Sequence, residues 1–118
     1  MTGAPRQAAP AGLHLCRLEA VGDGDCLEVR SDAEPAPSIV VMRSAGRAWA
    51  YVNVSPHFSL PLNSEPGRFL IAGDRLVMCA YHCAVFRFDD GLCIEGPAEG
   101  LRLDAVAVKI EDGDVVVA

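Results

Sequence analysis

Asn53-Val54-Ser55-Pro56-His57-Phe58-Ser59-Leu60-Pro61-Leu62 and Cys79-Ala80-Tyr81-His82-Cys83-Ala84-Val85-Phe86 are the two stretches on which the fold is read. In the first, His57 follows Ser55 by two places. In the second, His82 follows Cys79 by three. Spacing this short lets one loop present both side chains to one face. Thiolate is a soft ligand and neutral imidazole suits several transition metals. His57, Cys79 and His82 are therefore the candidate metal ligands. As three protein ligands with an open position they suit a mononuclear zinc site. Taken singly, they are also ordinary loop residues, because C-x-x-H alone is a weak signal.

Both loops follow strand-like segments. Residues 39–43 are apolar and β-branched, and 48–54 carry Trp49, Tyr51 and Val52, residue types that favour strands. Ser44-Ala45-Gly46-Arg47 turns the chain between them. Residues 55–67 hold three prolines and a glycine and predict no regular element. Segments 69–71 and 75–79 flank Ala72-Gly73-Asp74, a hairpin signal. Segments 85–88 and 92–95 flank Asp89-Asp90-Gly91, a second one. A loop over 95–100 contains Gly96-Pro97, and 101–103, 105–110 and 115–117 close the chain around the turn Glu111-Asp112-Gly113-Asp114. Toward the N-terminus, 13–20 alternates in part. Gly22-Asp23-Gly24-Asp25 reads as a hairpin-type turn into a strand at 26–30. Residues 31–38, with Pro35 and Pro37, read as a loop. Residues 1–12, rich in Ala, Pro and Gly, read as a flexible tail. Long 3.6-residue periodicity and internal repeats are both lacking. Short strands with regular turn signals predict an all-β sandwich or barrel, a single domain over 13–118.

The 118 residues, 51% of them hydrophobic, suffice for one core and leave no room for a second catalytic domain. A net charge of −6 argues against nucleic acid and anionic membrane as partners and suits a protein with a basic docking surface. No apolar run approaches the ~20 residues of a membrane span. Residues 1–12 lack a signal-peptide apolar region, and Leu15 before Cys16 argues against a lipoprotein signal. A cytoplasmic protein is expected. Five cysteines, an odd number at irregular spacing, do not suggest a disulfide framework. Cys16, Cys26 and Cys93 fall in strand-like segments and are expected in the core. His14 has no evident partner. Trp49 and Tyr51 are expected to pack, and the acidic turns to be solvated. No stretch resembles a nucleotide loop or a nucleophile–base pair.

Residues 53–62 resemble the first cluster loop of Rieske [2Fe–2S] proteins, and 79–86 resemble the second. Phe88-Asp89-Asp90-Gly91-Leu92-Cys93 is similar to the family's next hairpin. Glu95-Gly96-Pro97-Ala98 is similar to the proline loop that covers the cluster. The resemblance runs from residue 39 to 117. It implies a Rieske fold: a small β-core carrying a cluster-binding subdomain. It also implies a ligand set of two cysteines on one iron and two histidines on the other. Here that set is His57, Cys79 and His82, with Ser55 in place of the first cysteine. Ser59 and Cys83 stand where the family has glycines, which take positive φ, so altered loop geometry is expected. A serine oxygen is a harder ligand than thiolate and deprotonates reluctantly, which implies a weaker, lower-potential or absent cluster. Cys83 is either a substitute thiolate or a residue that packs. Neighbours in an extended loop point apart, so packing is expected. The implied function is ferredoxin-like electron transfer to a reductase or oxygenase partner, with no substrate turned over on this chain. The alternative is a cluster-free structural or regulatory module, for which the small subunit of NADH-dependent nitrite reductase is a family precedent.

Overall fold

Glycine-rich and acidic turns cut the chain into strands of two to six residues. The computed structural model describes residues 10–30, 37–56 and 59–118. In chain order the strands are β1 (His14–Arg17), β2 (Cys26–Val29), β3 (Ile39–Ser44), β4 (Arg47–Val52), β5 (Leu70–Gly73) and β6 (Leu76–Met78). They continue with β7 (Val85–Arg87), β8 (Cys93–Glu95), β9 (Ala105–Val106), β10 (Val108–Glu111) and β11 (Asp114–Val117). One 3-10 turn, Leu18–Ala20, follows β1. All pairings among the described strands are antiparallel, in three sheets ordered β1-β11-β10, β2-β3-β4-β9 and β5-β6-β7-β8. The all-β expectation holds.

Alternation along the middle sheet explains how the three sheets stack. Side chains of successive residues leave a strand on opposite faces. Cys26 of β2, Val40 and Met42 of β3 and Tyr51 of β4 pack with Val77, Phe86 and Cys93 of the β5–β8 sheet. Ile39, Val41, Ala50 and Val52 leave the other face and pack with Leu15, Cys16, Val115 and Val117 of the β1-β11-β10 sheet. The β2-β3-β4-β9 sheet thus lies between two apolar clusters, and β3 is buried on both faces over Ile39 to Met42. Phe86 and Phe88 are wholly buried. Burial of such a side chain stabilises by about 1.5–3 kcal/mol.

Several expectations change. Gly22-Asp23-Gly24-Asp25 does not close a hairpin: β1 pairs β11 and β2 pairs β3, so this turn carries the chain between sheets. Residues 101–103 form only a single bridge, Leu92 to Arg102, rather than a strand. His14 has a partner, its Nε2 lying 3.2 Å from Asp114 Oδ1 across the β1–β11 pair. The sequence separation of 100 residues hid that contact. Of the tail, residues 1–9 lie outside the described residues. Gly12 N–H donates to Val117 O at 2.7 Å, so the chain is already docked on β11 before β1 begins. Cys16, Cys26 and Cys93 are buried, as expected. Burial, with Asp25 nearby, pushes the Cys26 thiol up, and burial with Asp114 does the same to Cys16. Both remain protonated core residues.

Candidate metal centre

Two loops leave the β-core toward the same place. The first leaves the end of β4 and the second lies between β6 and β7. Their backbones make the same pair of bonds. In the first, Ser59 N–H donates to Ser55 O at 2.9 Å and Ser55 N–H donates to Leu60 O at 2.6 Å. In the second, Cys83 N–H donates to Cys79 O at 3.0 Å and Cys79 N–H donates to Ala84 O at 2.7 Å. Each is a five-residue turn closed from its first to its fifth residue. The fifth residue is left-handed in both, with φ 59° at Ser59 and 60° at Cys83. Ser55 and Cys79 therefore hold equivalent positions, and they are 2% and 1% exposed.

Ser59 and Cys83 both hold this left-handed conformation despite carrying a Cβ, at a steric cost of about 1–2 kcal/mol. The hydrogen bonds that close each turn impose the backbone on the side chain. Cys83 is exposed and fills no space in the core. His82 is half-buried and Tyr81 is exposed. His57 lies outside the described residues.

The loops are joined and braced. Ala80 N–H donates to Leu62 O at 2.8 Å, tying the second loop to the end of the first. Asn53 and Asn63, both buried, stand at the ends of the first loop. Asn53 Oδ1 accepts from Leu62 N–H at 2.8 Å and Asn53 Nδ2 donates to Asn63 Oδ1 at 2.8 Å. Behind them, Glu28 Oε1 accepts from Asn63 Nδ2 at 3.1 Å and from Gly67 N–H at 2.8 Å, and Glu28 Oε2 accepts from Ser38 Oγ at 2.7 Å. Burial alone would raise the Glu28 carboxyl. The bonds from Gly67, Ser38 and Asn63 and the charge of Arg30 outweigh it and hold the group below its ordinary value.

The loop after β8 presses on the second turn. Gly96, at φ 99°, approaches so closely that a Cβ there would lie 2.9 Å from Ala84 Cα and 3.2 Å from Cys83 O. Buried Ala98 holds this loop to the core, and the Cys93 thiol donates to Glu95 O at 3.3 Å. Trp49 and Tyr51 pack as expected. Tyr51 OH donates to Phe88 O at 2.6 Å, and the Trp49 and Phe88 rings are 6.4 Å apart. A cavity of about 430 Å³ beside the first loop is bordered by Glu28, Asn53, Ser59 and Asn63, and by Tyr81 of the second.

The sequence profile of the Rieske [2Fe-2S] domain matches residues 13–111. This chain belongs to the Rieske [2Fe-2S] domain family. The fold agrees with solved structures. The Sphingomonas yanoikuyae B1 ferredoxin superposes with a TM-score of 0.72 at 24% identity, over 90% of this chain and 96% of that one. A chain in the complex of reduced oxygenase and oxidized ferredoxin of carbazole 1,9a-dioxygenase gives 0.74 at 19%, over 93% and 94%. The ferredoxin of carbazole 1,9a-dioxygenase from Nocardioides aromaticivorans IC177 gives 0.72 at 18%, over 92% and 98%. No curated protein matches this chain.

The [2Fe–2S] group of the Rieske family calls for two thiolates and two imidazoles; the described residues supply Cys79 and His82, with Ser55 at the place of the other thiolate and His57 outside them. The described residues include no group of three or more His, Cys, Asp or Glu able to hold a metal ion. Cys79 and His82 lie on the loop between β6 and β7, and buried Ser55 holds the matching place on the loop after β4. Sequence reasoning missed Glu28, Asn53 and Asn63. Alternation in β2 held the one available signal: Glu28 shares the face of core residue Cys26, so a carboxylate points where an apolar side chain belongs.

Proposed function

We propose that this chain is a Rieske-type electron-transfer protein of the ferredoxin kind whose [2Fe–2S] site is altered at one ligand. The matched turns carry this reading, because a serine occupies the first-loop position that Cys79 occupies in the second. In this reading Cys79 and Ser55 serve one iron, and His57 and His82 the other. When bound, the cluster supplies a one-electron couple whose potential is set by its ligands, hydrogen bonds and burial. The protein holds the donors of Ser55 and Cys79 away from water and keeps His82 at the half-exposed edge. Ser55 must lose a hydroxyl proton to act as a ligand, which weakens its hold relative to a thiolate. Exposed Leu60 and Tyr81 belong to the two loops and offer apolar contact to a redox partner.

The partner is a reductase or an oxygenase component with a basic docking surface, complementary to a chain of net charge −6. Solved ferredoxin–oxygenase complexes of this fold supply the analogy. No described helix is long and apolar enough to cross a membrane. A cytoplasmic location suits five free cysteines.

Anaerobic reconstitution of the chain and of Ser55→Cys tests the proposal through iron and acid-labile sulfide per chain and the absorption spectrum. Partial loading of the parent and fuller loading of Ser55→Cys are expected. Negligible loading of both would overturn it in favour of a cluster-free structural or regulatory module, a reading that the hard oxygen donor at Ser55 favours.

A further inference from the structure

We propose that Glu28 is the positioning residue for the first cluster loop: its carboxylate sets the direction of a hydrogen-bond chain that fixes both ends of that loop. The proposal rests on the reading of residues 53–62 as a cluster loop. Glu28 lies on β2, outside both loops, with a side chain only 7% exposed.

The contacts to Glu28 place donors against both oxygens. Asn63 Nδ2 and Gly67 N–H meet Oε1, at 3.1 and 2.8 Å. The Ser38 hydroxyl meets Oε2 at 2.7 Å, and Asn53 Nδ2 approaches the same oxygen at 3.5 Å. An ionised carboxylate accepts at both oxygens and donates at neither. Each donation fixes the next group. With its proton committed to Glu28, Ser38 Oγ is free to accept, and Asn53 Nδ2 donates to it at 3.0 Å. With Nδ2 of Asn63 turned to Glu28 and to Glu65 O at 2.9 Å, its Oδ1 faces the other proton of Asn53 Nδ2. Both asparagine amides are thereby oriented. Asn53 Oδ1 is left facing Leu62 N–H, the bond that closes the loop two residues from Ser55.

A neutral amide in place of Glu28 serves this chain less well. With its NH2 toward Asn63 and Gly67, donors meet donors. With its NH2 toward Ser38, the hydroxyl must give up its donation and accept, and the amide faces Asn53 Nδ2. Either arrangement loosens the hold on Asn53, whose amide flip points Nδ2 at Leu62 N–H. The clamp then opens although no loop residue has changed. Buried networks behave this way because each partly satisfied member costs more than a fully paired one.

Amide hydrogen exchange on the full chain without cluster compares the parent, Glu28→Gln, and Glu65→Gln as a control whose exposed carboxylate lies outside the network. In Glu28→Gln, Leu62 and Ser55 amides are expected to exchange about tenfold faster, the order that loss of charge-assisted hydrogen bonds produces. Val41 and Phe86 amides should change much less, and Glu65→Gln should resemble the parent. Equal acceleration at all four amides would mean general destabilisation and would overturn the positioning role, as would no change at Leu62. A second readout uses Ser55→Cys with and without Glu28→Gln after reconstitution. A shifted reduction potential or electron-resonance signature is expected, and identical values would overturn the proposal. Because the exchange readout needs no cluster, failure of the electron-carrier reading is seen separately, as negligible loading of the parent and of Ser55→Cys.

Discussion

Gly96→Ala should destabilise the protein by about 3 kcal/mol, and most of that loss should come from one contact. The added methyl carbon would stand 2.9 Å from Ala84 Cα and 3.2 Å from Cys83 O. Carbon atoms pack best at roughly 3.5–4.0 Å. Both obstacles are backbone atoms of the loop between β6 and β7, so no rotamer change relieves them. Overpacking of this kind costs about 1–3 kcal/mol. A residue with a Cβ held at φ 99° adds strain of about 1–2 kcal/mol. Gly100→Ala is the control, because Gly100 has φ 91° and no atom within 4 Å of a built Cβ. It should lose only the strain, about 1 kcal/mol. Urea unfolding followed by the single Trp49, which packs against Phe88, measures both. With a slope of about 1–3 kcal/mol per M, the Gly96→Ala midpoint should fall by roughly 1–3 M. Equal losses in the two variants would refute the claim that the loop after β8 rests directly on the turn at 79–83.

Ser59→Gly and Cys83→Gly should each stabilise the protein by up to about 1 kcal/mol by urea midpoint, since relief of left-handed strain exceeds the entropy that glycine adds to the unfolded chain. Cys83→Gly should also leave metal content unchanged after reconstitution, whereas Cys79→Ala should abolish it. Tyr51→Phe should cost about 1–2 kcal/mol in the same assay, because the buried Phe88 carbonyl loses its 2.6 Å donor. Glu28 has a folded-state carboxyl value below its unfolded one, so its stabilisation is full above the ordinary carboxylate value near 4.5 and is lost as pH falls through the lower folded value. The midpoint difference between the parent and Glu28→Gln should therefore be constant at neutral pH and shrink below about pH 4.5. The facing groups Ser38, Asn53, Asn63 and Gly67 do not titrate there, and Arg30 stays charged.

The all-β class, the two loop regions and the hairpins around Gly73 and Gly91 were legible in the sequence, because turn chemistry and β-branched runs act locally. The described residues of 55–67 form no strand, only a single bridge at Glu65, as their prolines implied. The matching places of Ser55 and Cys79 in their loops were implied by the family resemblance. What tertiary structure decided was which partner each local element would meet. The Gly22–Asp25 turn joins two sheets rather than two paired strands, and His14 meets Asp114 at the far end of the chain. Ser59 and Cys83 keep a glycine-like backbone because hydrogen bonds to Ser55 and Cys79 hold them there, which composition cannot foretell. The Glu28 network draws on β2, the segment before β3 and both ends of the first loop. Its directions exist only once those distant segments share one buried space, since a carboxylate in an isolated strand would simply face water.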